Sequence, residues 1–165
     1  RSNGLSVSGV SLVNNQVTFK SSKPSVAKVK NNILYAKDNG SYSLTVSLNS
    51  NPALSSTESY VMSGIKKPKA NITSVKSKKK KQITVSWKNN IKNVTGYEIQ
   101  YSTSKKFTKK TTKTVTAKGK KVKSKKISKL KSKKTYYVRI RAYKNQSQGE
   151  KFYGKYSKTL KIKVK

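Results

Sequence analysis

The sequence has no cysteine and no histidine, and its acidic residues number only four. Without these side chains the protein cannot form disulfides, thiol nucleophiles, histidine-based triads or metal sites built on His and Cys. With only four carboxylates in the chain, acid–base catalysis by a pair of them is improbable. We therefore predict a protein that is not an enzyme and that binds no metal or cofactor. The four acids are Asp38, Glu58, Glu98 and Glu150.

Long apolar runs are also absent, and hydrophobic residues make up only 32% of the chain. No stretch approaches the ~18 apolar residues of a membrane-spanning helix, so we predict no membrane span. The composition is close to that of disordered chains, but most aromatic residues fall inside alternating segments, which favours folding. No signal peptide is visible, and the first residue is Arg1. We expect a mature or trimmed product whose targeting signals lie outside this sequence.

Positive charge is abundant but unevenly distributed. Residues 1–65 carry six basic and two acidic residues, a net charge of +4, whereas residues 66–165 carry 34 basic and two acidic residues, a net charge of +32. Such an asymmetry indicates two units. The polar, proline-containing stretch 66–71 is typical of a linker. We predict domains at 1–65 and 72–165.

Alternation of apolar and polar residues indicates β-structure throughout, and no segment has a helical repeat. Period-2 patterns with one polar face are typical of half-buried antiparallel strands, and short strands joined by turn residues favour sandwiches. We predict an all-β protein made of two tandem Ig-like β-sandwich domains. In the second unit the alternating apolar sets are Ile83-Val85-Trp87, Tyr97-Ile99-Tyr101, Tyr136-Val138-Ile140-Ala142 and Leu160-Ile162-Val164.

Residues 72–165 resemble a fibronectin type III domain. The resemblance rests on the ordered segments 83–87, 96–101, 130–143 and 154–157, which read ITVSW, GYEIQY, LKSKKTYYVRIRAY and GKYS. It implies that Trp87 is the core tryptophan and that the Tyr136 hydroxyl bonds back to the chain near Leu130. The core residues expected from the resemblance and the alternation are Trp87, Tyr97, Ile99, Tyr136, Val138 and Ile140.

Residues 1–65 resemble a bacterial Ig-like domain of group 2. The segments that carry this resemblance are 17–29, 31–36 and 40–46, which read VTFKSSKPSVAKV, NNILYA and GSYSLTV. The resemblance implies that the domain lacks its first strand, with residues 5–10 forming the second. Residues 49–64 have no counterpart in the family, and we expect Ser59–Met62 to add a strand.

Lysine outnumbers arginine by 37 to 3, and much of it is clustered in the second unit. Clustered ammonium groups neutralise phosphates and other anions without reading a sequence, whereas arginine is the usual bidentate reader of bases. One interpretation is nonspecific binding of a polyanion such as teichoic acid, nucleic acid or an anionic glycan. The other is a solvated surface of turns. The candidate residues are Lys78, Lys79, Lys80, Lys81, Lys120, Lys121, Lys125 and Lys126.

A second candidate surface follows from strand parity. If Tyr136, Val138 and Ile140 face the core, then Tyr137, Arg139, Arg141 and Tyr143 face outward. Arginine and tyrosine on one strip could stack on sugar rings or meet a partner protein. The alternative is an ordinary cross-strand ladder in which Glu98 pairs with an arginine.

Both resemblances imply an extracellular, secreted or surface-attached bacterial protein with a structural or adhesive role. Three alternatives stay open: a polyanion-binding wall-associated module, the accessory domains of a secreted enzyme, and a self-assembling filament. The filament would use strand exchange, with 5–13 or 59–65 as donor. Expected partners are other copies of the chain, a neighbouring surface protein, or anionic cell-wall polymers and nucleic acid bound nonspecifically.

Overall fold

A computed structural model describes residues 16–89 and 94–165 of the chain. These residues form thirteen strands in two compact units, which divide between Lys66 and Lys67. The all-β prediction is confirmed. The predicted second strand at 5–10 lies outside the described residues. No helix in the described part of the chain has the length and hydropathy needed to cross a bilayer.

The first unit contains a three-stranded antiparallel sheet and a separate hairpin. The sheet has the order β1-β4-β5, formed by Val17–Ser21, Gly40–Leu48 and Ser55–Met62. The hairpin pairs β2 (Ala27–Lys30) with β3 (Ile33–Ala36). Its two-residue turn is Asn31-Asn32, with φ of 49° and 56°. Asparagine tolerates this left-handed conformation, which two-residue hairpins need for the correct twist.

The core of this unit is small. Val26, Ala27 and Tyr42 are buried together, with Leu44 and Met62 packed against them. The segment expected to add a strand does so as part of β5, which pairs with β4 over eight residues. Residues 38–65, which contain both β4 and β5, include no lysine or arginine.

The second unit is a sandwich of two antiparallel sheets. One sheet has the order β10-β7-β6, formed by Ser124–Ile127, Ile83–Asn89 and Ala70–Lys76. The other has the order β12-β11-β8-β9, formed by Lys151–Tyr153, Thr135–Asn145, Gly96–Ser102 and Thr112–Lys118. β13 (Leu160–Lys163) also pairs with β11. The predicted linker 66–71 overlaps the start of β6, where Pro68 and Ala70 are buried.

The second unit has the larger core, because its alternating residues meet between the two sheets. All six predicted core residues are buried, and the indole of Trp87 lies 5.0 Å from the ring of Tyr97. The hydroxyl oxygen of Tyr136 accepts a bond of 3.2 Å from the backbone nitrogen of Lys131, next to Leu130. This contact fixes the loop between β10 and β11 against the sandwich.

The polar composition of residues 144–154 predicts a loop, and this prediction is wrong in part. β11 continues to Asn145, a 3₁₀ turn at Ser147–Gly149 reverses the chain, and β12 pairs back on β11. The polar composition of the segment predicted a loop, but backbone pairing needs no apolar side chain on its exposed face.

Candidate functional site

The outward face of β8 and β11 carries an alternating stack of arginine and aromatic side chains. Its order is Phe107, Arg139, Tyr156, Arg141 and Tyr153. The guanidinium carbon of Arg139 lies 4.0 Å and 4.1 Å from the centres of its two rings, and that of Arg141 lies 3.7 Å and 4.6 Å from its own. We call these five residues the arginine ladder. Stacking on ring faces stabilises a guanidinium by cation–π attraction.

The edges of both guanidinium groups are bonded across the strands. Arg141 pairs with Glu98, directly opposite on β8, at 2.6 Å between Nη2 and Oε1. Arg139 donates from Nε and Nη2 to Oε1 of Gln100 at 3.0 and 2.7 Å. The hydroxyl of Tyr156 donates to the same Oε1 of Glu98 at 2.9 Å. Both the faces and the edges of the arginines are therefore engaged within the chain.

The end of β12 and the irregular segment after it supply two rings of the arginine ladder, Tyr153 and Tyr156 respectively. Gly154 donates its backbone N–H to Ala142, and Ser157 donates its own to Ile140. The Ser157 hydroxyl also accepts a bond of 3.1 Å from the backbone nitrogen of Ile140. These bonds hold the segment along β11, so that Tyr153 and Tyr156 lie on either side of Arg141.

Tyr143, predicted to face outward with the arginines, is buried, with only 3% of its surface exposed. The cause is local. Gly96 lies opposite it and has no side chain, and a Cβ there would stand 2.6 Å from the Tyr143 hydroxyl oxygen. The rings of Tyr143 and Tyr153 are 5.9 Å apart, and Lys151 lies over the Tyr143 ring. The predicted exposed strip therefore loses Tyr143, while Tyr137 is half-buried at the other end.

Burial in this region affects the phenols. Burial, followed by the hydrogen bond to Glu98, raises the pKa of Tyr156 well above its ordinary value. Burial and the nearby charge of Glu98 also raise the pKa of Tyr143. Both phenols are therefore held in their protonated form, which can donate to a carboxylate but cannot act as a base at neutral pH.

The predicted polyanion-binding lysines do not converge on one cavity. Lys78–Lys81 lie in the turn between β6 and β7, Lys120 and Lys121 follow β9, and Lys125 and Lys126 lie on β10. All eight are exposed. Since β10 runs antiparallel to β7, the first and second groups lie at opposite ends of this sheet. A shallow depression of about 250 Å³ on its outer face includes Lys78 alone among the eight.

A larger cavity lies between the β8–β9 connection and the β10–β11 connection. Its volume is about 510 Å³, and five lysines surround it, none of which was among the predicted eight. These are Lys110, Lys113, Lys129, Lys131 and Lys134. The sequence does not predict this grouping, because the residues come from two connections and from β9, which only the fold brings together. The aromatic members of the arginine ladder, Phe107, Tyr153 and Tyr156, were missed for the same reason.

Within residues 16–89 and 94–165, no three His, Cys, Asp or Glu side chains are grouped closely enough to hold a metal ion. Glu98 is bonded to Arg141 and Tyr156. Asp38 and Glu58 belong to the first unit, and Glu98 and Glu150 belong to the second.

One protein family and several solved structures are similar to this chain. The fibronectin type III domain model matches residues 66–154. The chain is 17% identical to the fn3 domain of human collagen alpha-1(XX), covering 62% of this chain and 89% of that one, with a TM-score of 0.46. It is 22% identical to the FN1–FN3 domains of chicken CNTN1, and the match covers 81% of this chain and 45% of that one, with a TM-score of 0.49. A search of curated proteins finds no match.

The family match spans more than half of the 165 residues. It includes the buried Trp87 and the Tyr136 hydroxyl contact, which are the two core features that the sequence resemblance implied. The chain therefore belongs to the fibronectin type III family.

Proposed function

We propose that this chain is a non-enzymatic structural and adhesion module of a bacterial surface or secreted protein. The observation that carries the proposal is membership of the fibronectin type III family, whose domains are common extracellular structural and adhesion modules. The bacterial, extracellular assignment rests on the resemblance of residues 1–65 to group 2 Ig-like domains. A fold alone does not fix a function, so support for the proposal must also come from the arginine ladder and the exposed lysines.

The arginine ladder favours a structural role. Its side chains connect β8 and β11 with the irregular segment after β12 through stacking and charge-assisted hydrogen bonds. Charge-assisted hydrogen bonds are stronger than neutral ones, and salt screens them less where solvent access is restricted. The face is therefore suited to keeping the sandwich rigid.

Attachment to anionic polymers is a second candidate function, and the placement of lysine favours it. The eight predicted lysines lie on turns and on the short strand β10, all exposed, in a unit with two acidic residues. A dense ammonium surface attracts polyanions and releases their counterions. Teichoic acids and acidic glycans of a bacterial wall have this chemistry.

The remaining alternatives receive less support. For a filament built by strand exchange, one expected donor, residues 59–65, overlaps β5, which pairs with β4 of its own chain. The other donor, residues 5–13, lies outside the described residues. A role as accessory domains of a secreted enzyme would place the chemistry in sequence not present in this chain.

The test is sedimentation of the full chain with purified bacterial cell walls, before and after extraction of their anionic polymers. We expect binding to intact walls that falls after extraction and falls steeply with salt. Binding that survives both treatments would favour adhesion through a protein or neutral-glycan contact. Absence of binding to any wall would contradict adhesion and leave a passive spacer.

A further inference from the structure

The cavity surrounded by Lys110, Lys113, Lys129, Lys131 and Lys134, which we call the lysine groove, has the properties of a ligand site. Its volume of about 510 Å³ falls within the ~300–1,000 Å³ of typical ligand clefts. No acidic residue lines it. Five ammonium groups placed around one cavity repel each other unless an anion neutralises them.

The floor and walls of the groove add contacts other than charge. Tyr101, Leu130 and Tyr136 form the floor, each with less than a tenth of its surface exposed, and Thr103 and Thr111 carry hydroxyl groups. A few polar groups placed around a concave surface are the usual lining of a site for a small organic unit. A sugar ring with an acidic substituent presents the matching chemistry in its hydroxyl groups and its negative charge.

Both walls of the groove are held in place before any ligand binds. In the β8–β9 connection, the Thr111 hydroxyl bonds those of Ser102 and Thr108, each at 2.8 Å. In the β10–β11 connection, Leu130 donates its N–H to the carbonyl of Lys81, and Ser132 donates its hydroxyl to the carbonyl of Lys165. A site fixed in this way pays less ordering entropy on binding.

The backbone of one wall includes two lysines in the left-handed conformation, which occurs at seven non-glycine residues in the described part of the chain. Lys129, which lines the groove, has φ of 60°, and Lys133 beside it has the same value. Glycine adopts this left-handed conformation without cost, whereas lysine does not. Strained residues persist where the surrounding structure or the function requires them. Lysine at position 129 therefore costs stability while adding a charge to the groove.

Nucleic acid fits this site less well. Single-stranded bases bind by stacking on exposed aromatic faces, and bases are read chiefly by arginine. Tyr101 and Tyr136 are each only 8% exposed, so neither presents a ring face. Arg139 and Arg141 are engaged in the arginine ladder.

We propose that the lysine groove binds a unit of an acidic polysaccharide, with the lysines neutralising its carboxylates or sulfates and the Thr103 hydroxyl bonding its hydroxyls. The inference rests on the proposed attachment to anionic polymers and gives it a location and a ligand class. It predicts selectivity that general surface charge would not produce.

The test compares two variants of the full chain that lose the same charge. The groove variant carries K110Q, K113Q, K131Q and K134Q, and the control variant carries K79Q, K80Q, K121Q and K126Q. Binding of oligoalginate, a polyuronate, is measured by calorimetry beside polyphosphate of similar length. We expect the affinity for oligoalginate to fall at least about tenfold in the groove variant and less than about threefold in the control variant. Polyphosphate binding should fall equally in both.

Equal losses of oligoalginate binding in the two variants would overturn the groove and leave nonspecific attachment standing. No binding of either polymer by the unmodified chain would overturn attachment itself. K129G gives a second measurement that does not depend on the fourfold variants: we expect a melting temperature equal or higher, with weaker oligoalginate binding. Unchanged binding in K129G together with unperturbed amide resonances at Thr103 and Thr111 on titration would contradict the site.

Discussion

Arg141 and Glu98 face each other across β11 and β8, 2.6 Å apart from Nη2 to Oε1, and the guanidinium carbon of Arg141 lies 4.6 Å from the centre of the Tyr156 ring. The two side chains are 24% and 13% exposed, so solvent screens the pair only in part. Glu98 also accepts the Tyr156 hydroxyl bond and thereby joins two strands to the segment after β12. A single carboxylate thus holds the centre of the arginine ladder.

Replacing Glu98 by glutamine should destabilise the second unit by about 1–3 kcal/mol, since Arg141 would remain in place without its counter-charge. Chemical denaturation of the full chain measures this loss. Glu58→Gln is the matched control, because Glu58 is exposed on β5 and its replacement should change stability by less than about 0.5 kcal/mol. Equal effects of the two substitutions would argue against a structural role for the ladder.

Tyr156→Phe should reveal a pH dependence. The raised pKa means that the folded state keeps the Tyr156 proton more tightly than the unfolded state, whose ordinary value is 10.0. The stability that tyrosine adds over phenylalanine is therefore fully present below about pH 10 and declines as the pH rises above it. Denaturation of both proteins between pH 7 and pH 11 gives the difference. A difference that grows with pH would contradict the hydrogen bond to Glu98.

Trp87→Ala should cost roughly 3–5 kcal/mol, because it removes a large aromatic side chain from the centre of the core. Trp87 is 2% exposed and packs on Tyr97. Calorimetry should show the transition of the second unit moving to lower temperature while that of the first unit stays. If the transition of the second unit does not move, Trp87 does not lie in the core of that unit.

Gly154→Ala should be strongly destabilising for a steric reason. A Cβ at this position would overlap the carbonyl oxygen of Pro68 and stand 2.8 Å from its carbonyl carbon. Since backbone atoms cannot move aside cheaply, we expect a loss of about 1–3 kcal/mol or more. Gly149→Ala is the control, because a Cβ there meets no atom within 4 Å, although its φ of +73° adds a smaller strain. A larger effect at Gly149 would exclude the close contact at Gly154.

Local alternation in the sequence was sufficient to predict four strands of the second unit, β7, β8, β11 and β13. Ile83, Val85 and Trp87, for example, bury one face whatever the strand pairs with. Parity also placed Arg139 and Arg141 opposite the core. It could not predict what covers that face: Phe107 comes from the β8–β9 connection, Tyr153 from the end of β12, and Tyr156 from the segment after β12. Tyr143 shows the same limit, since its burial depends on Gly96 across the sheet.

The lysine groove shows why composition alone was a poor guide to the site. Runs such as Lys78–Lys81 are conspicuous in the sequence but lie spread along turns. The five lysines of the groove are dispersed between positions 110 and 134, and the pairing of β8 with β9 and the Tyr136 contact bring them around one cavity. Spacing in the chain carries no sign of such a grouping.

The position of the chain's one tryptophan has a practical consequence. Trp87 lies in the second unit, whereas tyrosines occur in both, among them Tyr35 and Tyr42 in the first. Selectively excited indole fluorescence therefore reports the second unit alone. Tyr97, at 5.0 Å, is close enough to pass its excitation to the indole while the core is intact. Loss of that energy transfer would mark the opening of this sandwich separately from any change in its neighbour.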